Sequence, residues 1–296
     1  MCIRDSHWTV LILEVFDANQ ARRLFPILFA ATRLGGIGAG AALGHLASGR
    51  GALNLLGLCL GLGALAAGLT WLSRGREPRP RAPERRQSWL GMGREVLSSR
   101  LVRAIAISTA AMVLVRYGLR MVSMHEINAA YHYDEDLVAE FLGQFRVWAN
   151  TVGAILGIFV VPKLLTWLGV GTINLLYAVA TLAAYASLFI WPTLASAAGA
   201  RFVEQQFKDA AKTPISALFY GAEPAHLRGA ARAFMFGSII PAATAVTAIV
   251  FELASRQDEL YLVAVIGTVL AGAFVFASHL LNRRWRDRIG ERLLEE

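Results

Sequence analysis

Five charged residues stand within twelve positions at Arg201–Lys212, RFVEQQFKDAAK, inside a stretch that is otherwise mostly apolar. Arg201, Glu204, Lys208 and Lys212 recur at three- and four-residue intervals. A helix would carry them on one face, with Glu204 and Lys208 spaced to pair. A charge at the centre of a bilayer costs about 2.5–3.5 kcal/mol on insertion scales, so such a face needs partners or a water-filled cavity. Two readings follow: the wall of a cavity that holds a charged solute, or a set of structural ion pairs. Intramembrane charge marks function by default.

A second set opens with Arg116 and Arg120, one turn apart, followed by His125 and Glu126. Glu140, Gln144 and Arg146 come next along the chain, and Arg33 lies far upstream. Basic residues outnumber acidic ones in these sets, which points to an anionic solute, because cationic walls concentrate anions. The competing reading is helix–helix salt bridging, with snorkelling near the helix ends, as expected for Arg103. The candidate solute-contacting residues are therefore Arg33, Arg116, Arg120, Arg146, Glu204, Lys208 and Lys212. The cations would hold the anion or pair when the site is empty, and Glu204 would release or capture Lys208 as it fills.

Enzymatic signatures are missing. His125-Glu126 begins like a zinc-helix motif, but position 129 is Ala129 where a second His is required. There is no Walker A run, nucleophile elbow or CxxC. No catalytic residue, metal or cofactor is expected. Gly36, Gly40 and Gly44 recur at four-residue spacing, which suits close helix packing. Gly36-Ile37-Gly38 is not a dinucleotide loop, since no strand precedes it.

These residues must be positioned by membrane-spanning helices. The chain is 56% hydrophobic and 17% charged, with mean hydropathy +0.49. A span needs roughly 20 mostly apolar residues to cross about 30 Å of hydrocarbon. Backbone groups in lipid must pair internally, so such runs are helical. After a short apolar stub, His7–Phe16, the expected spans are Leu24–Ala47 and Ala52–Leu72. Six more follow, at Leu101–Ala130, Leu137–Leu165, Gly169–Ile190, Pro192–Tyr220, Gly229–Leu253 and Leu260–Leu281. Residues 73–100, with eight Arg, three Glu and Pro78, Pro80 and Pro83, read as a solvated linker. Residues 282–296 form a charged tail.

Alternate connections are rich in basic residues: Arg22 and Arg23; the linker; Lys163; Arg228 and Arg232; then Arg283, Arg284, Arg286, Arg288 and Arg292. The intervening ones hold only Arg50 and Arg256, and one carries Asp134, Glu135 and Asp136. The positive-inside rule then places the linker and the C-terminus in the cytoplasm. The net charge of +8 is spread between spans and not gathered in one basic domain, which argues against nucleic-acid binding. Cys2 and Cys59 make no disulfide framework.

Residues 1–6, MCIRDS, back-translate to the end of a common sequencing-library adapter and are expected to be a scar. On that expectation residues 7–72 are the remnant of an N-terminal helix bundle. Residues 73–100 are the central linker, 101–281 a six-helix C-terminal bundle and 282–296 a cytoplasmic tail. Half of the proposed cavity is then missing, and the chain as written is expected not to transport.

Three segments resemble the bacterial ATP/ADP translocase-type branch of the major facilitator superfamily. They are Phe16–Gly40, FDANQARRLFPILFAATRLGGIGAG; Arg116–Arg120, RYGLR, with the later FLGQFRVWANTVG; and Lys212–Phe234, KTPISALFYGAEPAHLRGAARAF. The resemblance implies an all-α, polytopic membrane protein with the major facilitator fold. It also implies two six-helix halves, the N-terminal one partial here, and exchange of nucleotides or related anions across a bacterial inner membrane. Arg120 and Lys212 match basic positions of the family. Arg116 stands where members often show an acidic residue, and Ile215 and Ser216 where they place a base. These departures motivate the competing reading, a non-transporting membrane anchor or sensor that retains the fold.

Overall fold

The computed structural model describes residues 33–41, 53–72, 89–255 and 260–295. The stub, the adapter-like residues and most of the linker lie outside the described residues. Everything regular in the described residues is helical. A short helical stretch covers residues 33–41. It is followed by α1 (Leu53–Leu72), α2 (Trp89–Ser98), α3 (Arg100–Ala130), α4 (Glu135–Ile155) and α5 (Val161–Ile190). Next come α6 (Leu194–Phe202), α7 (Thr213–Gly221), α8 (Ala225–Phe234), α9 (Ile240–Ser255) and α10 (Leu260–Glu295). α2 occupies the end of the stretch expected to be loop. Its apolar residues repeat at helical spacing, with Val96 buried and Gly93 against Phe234.

Four helical runs among the described residues are long and apolar enough to cross a membrane: Arg100–Ala130, Glu135–Ile190, Leu227–Phe251 and Val263–Glu291. The second has 56 residues, about 84 Å at 1.5 Å per residue and more than twice the hydrocarbon thickness. It is broken at Gly169, whose φ of 76° and ψ of 164° interrupt the helix. Side chains rarely adopt that φ, and glycine does so without a Cβ clash. The break falls where the sequence separates two spans. The segment Leu194–Gly221 is helical throughout but lies outside these four, since it carries the five charges of Arg201–Lys212.

Three π-helical segments interrupt the α-helices: π1 (Leu156–Val160), π2 (Val203–Lys212) and π3 (Met235–Ile239). Each is followed two residues later by a proline, Pro162, Pro214 and Pro241. Proline brings no N–H and its ring collides with the carbonyl four residues back. Widening the helix by a residue relieves that collision and reassigns the carbonyl. Val161, Thr213 and Ile240 each donate from their backbone to the residue five back, Leu156, Lys208 and Met235. π-segments of this kind are frequent at functional sites.

The chain divides into two compact units, Met1–Arg86 with Tyr131–Ala154, and Gln87–Ala130 with Ile155–Glu296. In the first, residues 33–41 pack on α4 through their glycines. A Cβ on Gly36 would stand 2.9 Å from Asn150 Nδ2, and one on Gly40 2.9 Å from the Gly143 carbonyl oxygen. This is the close approach expected from their spacing; Gly44 lies outside the described residues. In the second unit α10 lies along α3 and α5. Tyr185 of α5, fully buried, donates its hydroxyl to the Val115 carbonyl of α3 at 2.8 Å. Gly267 of α10 faces its ring and Gly118 of α3 its hydroxyl, so a side chain at either would overlap it.

Candidate functional site

The charged residues of π2 do not form the pair expected along their shared face. Glu204 is buried, 6% exposed, and both its oxygens are taken by arginines. Arg116 Nη2, from α3, donates to Oε1 at 2.7 Å, and Arg201 Nη1 donates to Oε2 at 3.4 Å. The expected Glu204–Lys208 pair is therefore not made. Lys208 turns to its neighbour Asp209, at 2.8 Å.

Lys212, at the other end of π2, is 4% exposed. Its Nζ donates to Asn174 Oδ1 of α5 at 2.5 Å and stands 5.7 Å from the centre of the Phe219 ring. No carboxylate among the described residues makes an ion pair with it. Ala211, Ile215 and Phe219 around it belong to the apolar core. The Nδ2 of Asn174 is buried and finds no acceptor among the described residues. A neutral amide and an aromatic face are weak compensation for a buried ammonium, since a desolvated charge ordinarily requires a counter-charge. Tyr177, one turn beyond Asn174, is fully buried between Phe207 and Phe274, with ring centres 5.8 and 5.9 Å away, both edge-on.

The other expected residues fall elsewhere. Arg120 is exposed on α3, one turn beyond Arg116. Arg33 and Arg146 belong to the first unit, Arg33 half-buried on residues 33–41 and Arg146 exposed on α4. The second unit thus brings Arg116 and Glu204 together and sets Lys212 against Asn174. Asn174 and Tyr177 are the residues that sequence reasoning passed over. A lone amide in the apolar run GVGTINLLYAVATLAAY was the available signal, because polar side chains within spans are costly.

Comparison with protein-family models, with curated proteins and with solved structures finds no match to this chain.

Proposed function

We propose that the protein is a secondary transporter of the major facilitator type that moves an anionic solute, with nucleotides such as ATP and ADP the leading candidates. Its C-terminal half comprises six helices, its linker and C-terminus face the cytoplasm of a bacterial inner membrane, and transport proceeds by rocking of two halves around a midplane site. One observation carries the reading: Lys212 is a buried cation whose hydrogen-bond partner is the neutral Asn174. A phosphate or carboxylate arriving at Lys212 supplies the missing negative charge, and Asn174 Nδ2 adds a second donor. Within the same unit Arg116 and Arg120 supply further positive charge, and Glu204 and Lys208 pair with neighbours when no solute is present.

Equilibrium binding of ATP, ADP and inorganic phosphate to the chain in lipid nanodiscs tests the site. Saturable binding that Lys212→Gln weakens at least tenfold is expected. Counterflow of labelled nucleotide in proteoliposomes tests transport. Binding that Lys212→Gln leaves unchanged removes Lys212 from the site. The competing reading, a membrane anchor or sensor without transport, draws on the internal pairing of Glu204 with two arginines, which is what a purely structural cluster requires. Absence of both binding and counterflow for every anion tested would leave that reading standing.

A further inference from the structure

One end of the second unit has an apolar core and a basic rim. Val96 of α2, Leu101 and Val102 of α3, Val161 of α5 and Leu281 of α10 are buried in a single cluster, against which Trp285 and Ile289 pack. α10 continues as helix past Leu281, and its next turns are held in place. The Trp285 ring stands edge-on to Phe219 at 5.8 Å, and the Asn282 side chain lies directly on the backbone of Gly171. On those turns Arg283, Arg284 and Arg286 are exposed. Around the same core, Arg100 and Arg103 of α3 and Lys163 of α5 are exposed as well.

None of these six cations has an ion-pair partner among the described residues. Three further cations of this end are engaged. Arg288 pairs with Glu291 at 2.8 Å, Arg232 stacks on Tyr220 at 5.4 Å, and Arg228 Nε donates to the Glu223 carbonyl at 2.6 Å. Arg94 stands beside the exposed Glu95. Asp287 is the exposed acid left on the turns that carry the arginines, since Glu291 is already paired. Four residues from Lys163, on the same face, Trp167 is 81% exposed. Tryptophan at such a position marks the level of the lipid headgroups.

We propose that this rim is a binding surface for anionic phospholipid headgroups, independent of whatever solute the protein moves. Guanidinium groups bind phosphate oxygens through paired N–H donors. Here three of them are fixed on a rigid helix at the point where the apolar run ends, the height at which bilayer phosphates stand. Basic residues next to a span attract anionic lipid at the membrane surface. The partly buried Trp285 and the Gly171 contact hold the turns that carry the arginines, so little ordering cost opposes binding.

The test compares phosphatidylglycerol with phosphatidylcholine. The full chain, purified in mild detergent, is titrated with each lipid and with inorganic phosphate, reading melting temperature and lipid retained by native mass spectrometry. The expected result is retention and a raised melting temperature with phosphatidylglycerol, little change with phosphatidylcholine or inorganic phosphate, and loss of the effect at about 1 M salt, where screening acts within 3 Å. The variant carrying Arg283→Gln, Arg284→Gln and Arg286→Gln should lose the preference by roughly tenfold. If that variant fails to fold, Lys163→Gln alone and the salt series decide, each with a several-fold reduction expected. Equal retention of the two lipids, a preference unchanged by substitution and salt, or an equal response to inorganic phosphate would each overturn the proposal.

Discussion

The two ends of π2 handle buried charge in opposite ways. At Glu204 a carboxylate is held by two guanidiniums, one from its own helix and one from α3, and both oxygens are used. At Lys212, eight residues on, an ammonium equally withdrawn from the surface rests on an amide oxygen and an aromatic ring. The first arrangement gives the buried carboxylate its counter-charges within the protein, and its removal should damage the fold. The second is not compensated by the chain, and its removal should cost function and spare the fold. One helical turn type thus carries a structural element at one end and a candidate recognition element at the other.

The largest expected effect tests the structural end. Glu204→Ala takes the shared carboxylate from Arg116 and Arg201 and should lower stability by about 3–5 kcal/mol, the usual cost of removing one partner of a buried pair. Thermal unfolding in detergent measures it, and a double replacement of Arg116 and Glu204 by leucine should be milder than Glu204→Ala alone. A loss below about 1 kcal/mol would mean that the cluster behaves as a surface pair and the contrast with Lys212 disappears.

Asn174→Ala should come next, at about 1.5–3 kcal/mol, because it strips the acceptor from a buried ammonium. Combining it with Lys212→Met should recover most of that loss, since the two residues act as one unit. Lys212→Met by itself should be neutral or stabilise by about 1 kcal/mol, as apolar replacement of buried charge commonly does, while abolishing anion binding. Strong destabilisation by this variant would place Lys212 with Glu204 as a structural group.

The smallest effect is expected at Lys208→Gln. Its pair with Asp209 is the more open of the two, with side-chain exposures of 12% and 27%, and partly exposed pairs contribute about 0–1 kcal/mol. An unfolding temperature indistinguishable from that of the parent chain is the expected outcome. A drop comparable to that of Glu204→Ala would show that π2 carries one continuous structural network.

Helical spans were legible because a bilayer imposes a length and a polarity on every crossing, and both are written into residue type. The break at Gly169 and the glycine contacts of Gly36 and Gly40 were legible for the same local reason. Small residues at fixed spacing admit close backbones, and a glycine between two apolar runs admits a turn of the chain. The helix α2 was less so. Its ten residues sit among arginines and prolines whose composition dominates the neighbourhood, and its helical form is bound up with burying Val96 and packing Gly93 against Phe234.

What the sequence determined by itself was the helical character of the described residues, with runs long and apolar enough to cross a membrane, and the presence of clustered charge in a further helical segment. Those follow from one-dimensional quantities: run length, hydropathy and charge count. The partners of that charge were decided by the tertiary structure alone. Lys208 pairs with Asp209 and not with Glu204, four residues away at pairing distance along the helix. Arg116 reaches Glu204 from a helix 88 residues away in sequence, and Asn174 meets Lys212 across 38. Helical periodicity describes neighbours within a segment, and contacts between segments depend on how helices pack, which no local spacing encodes.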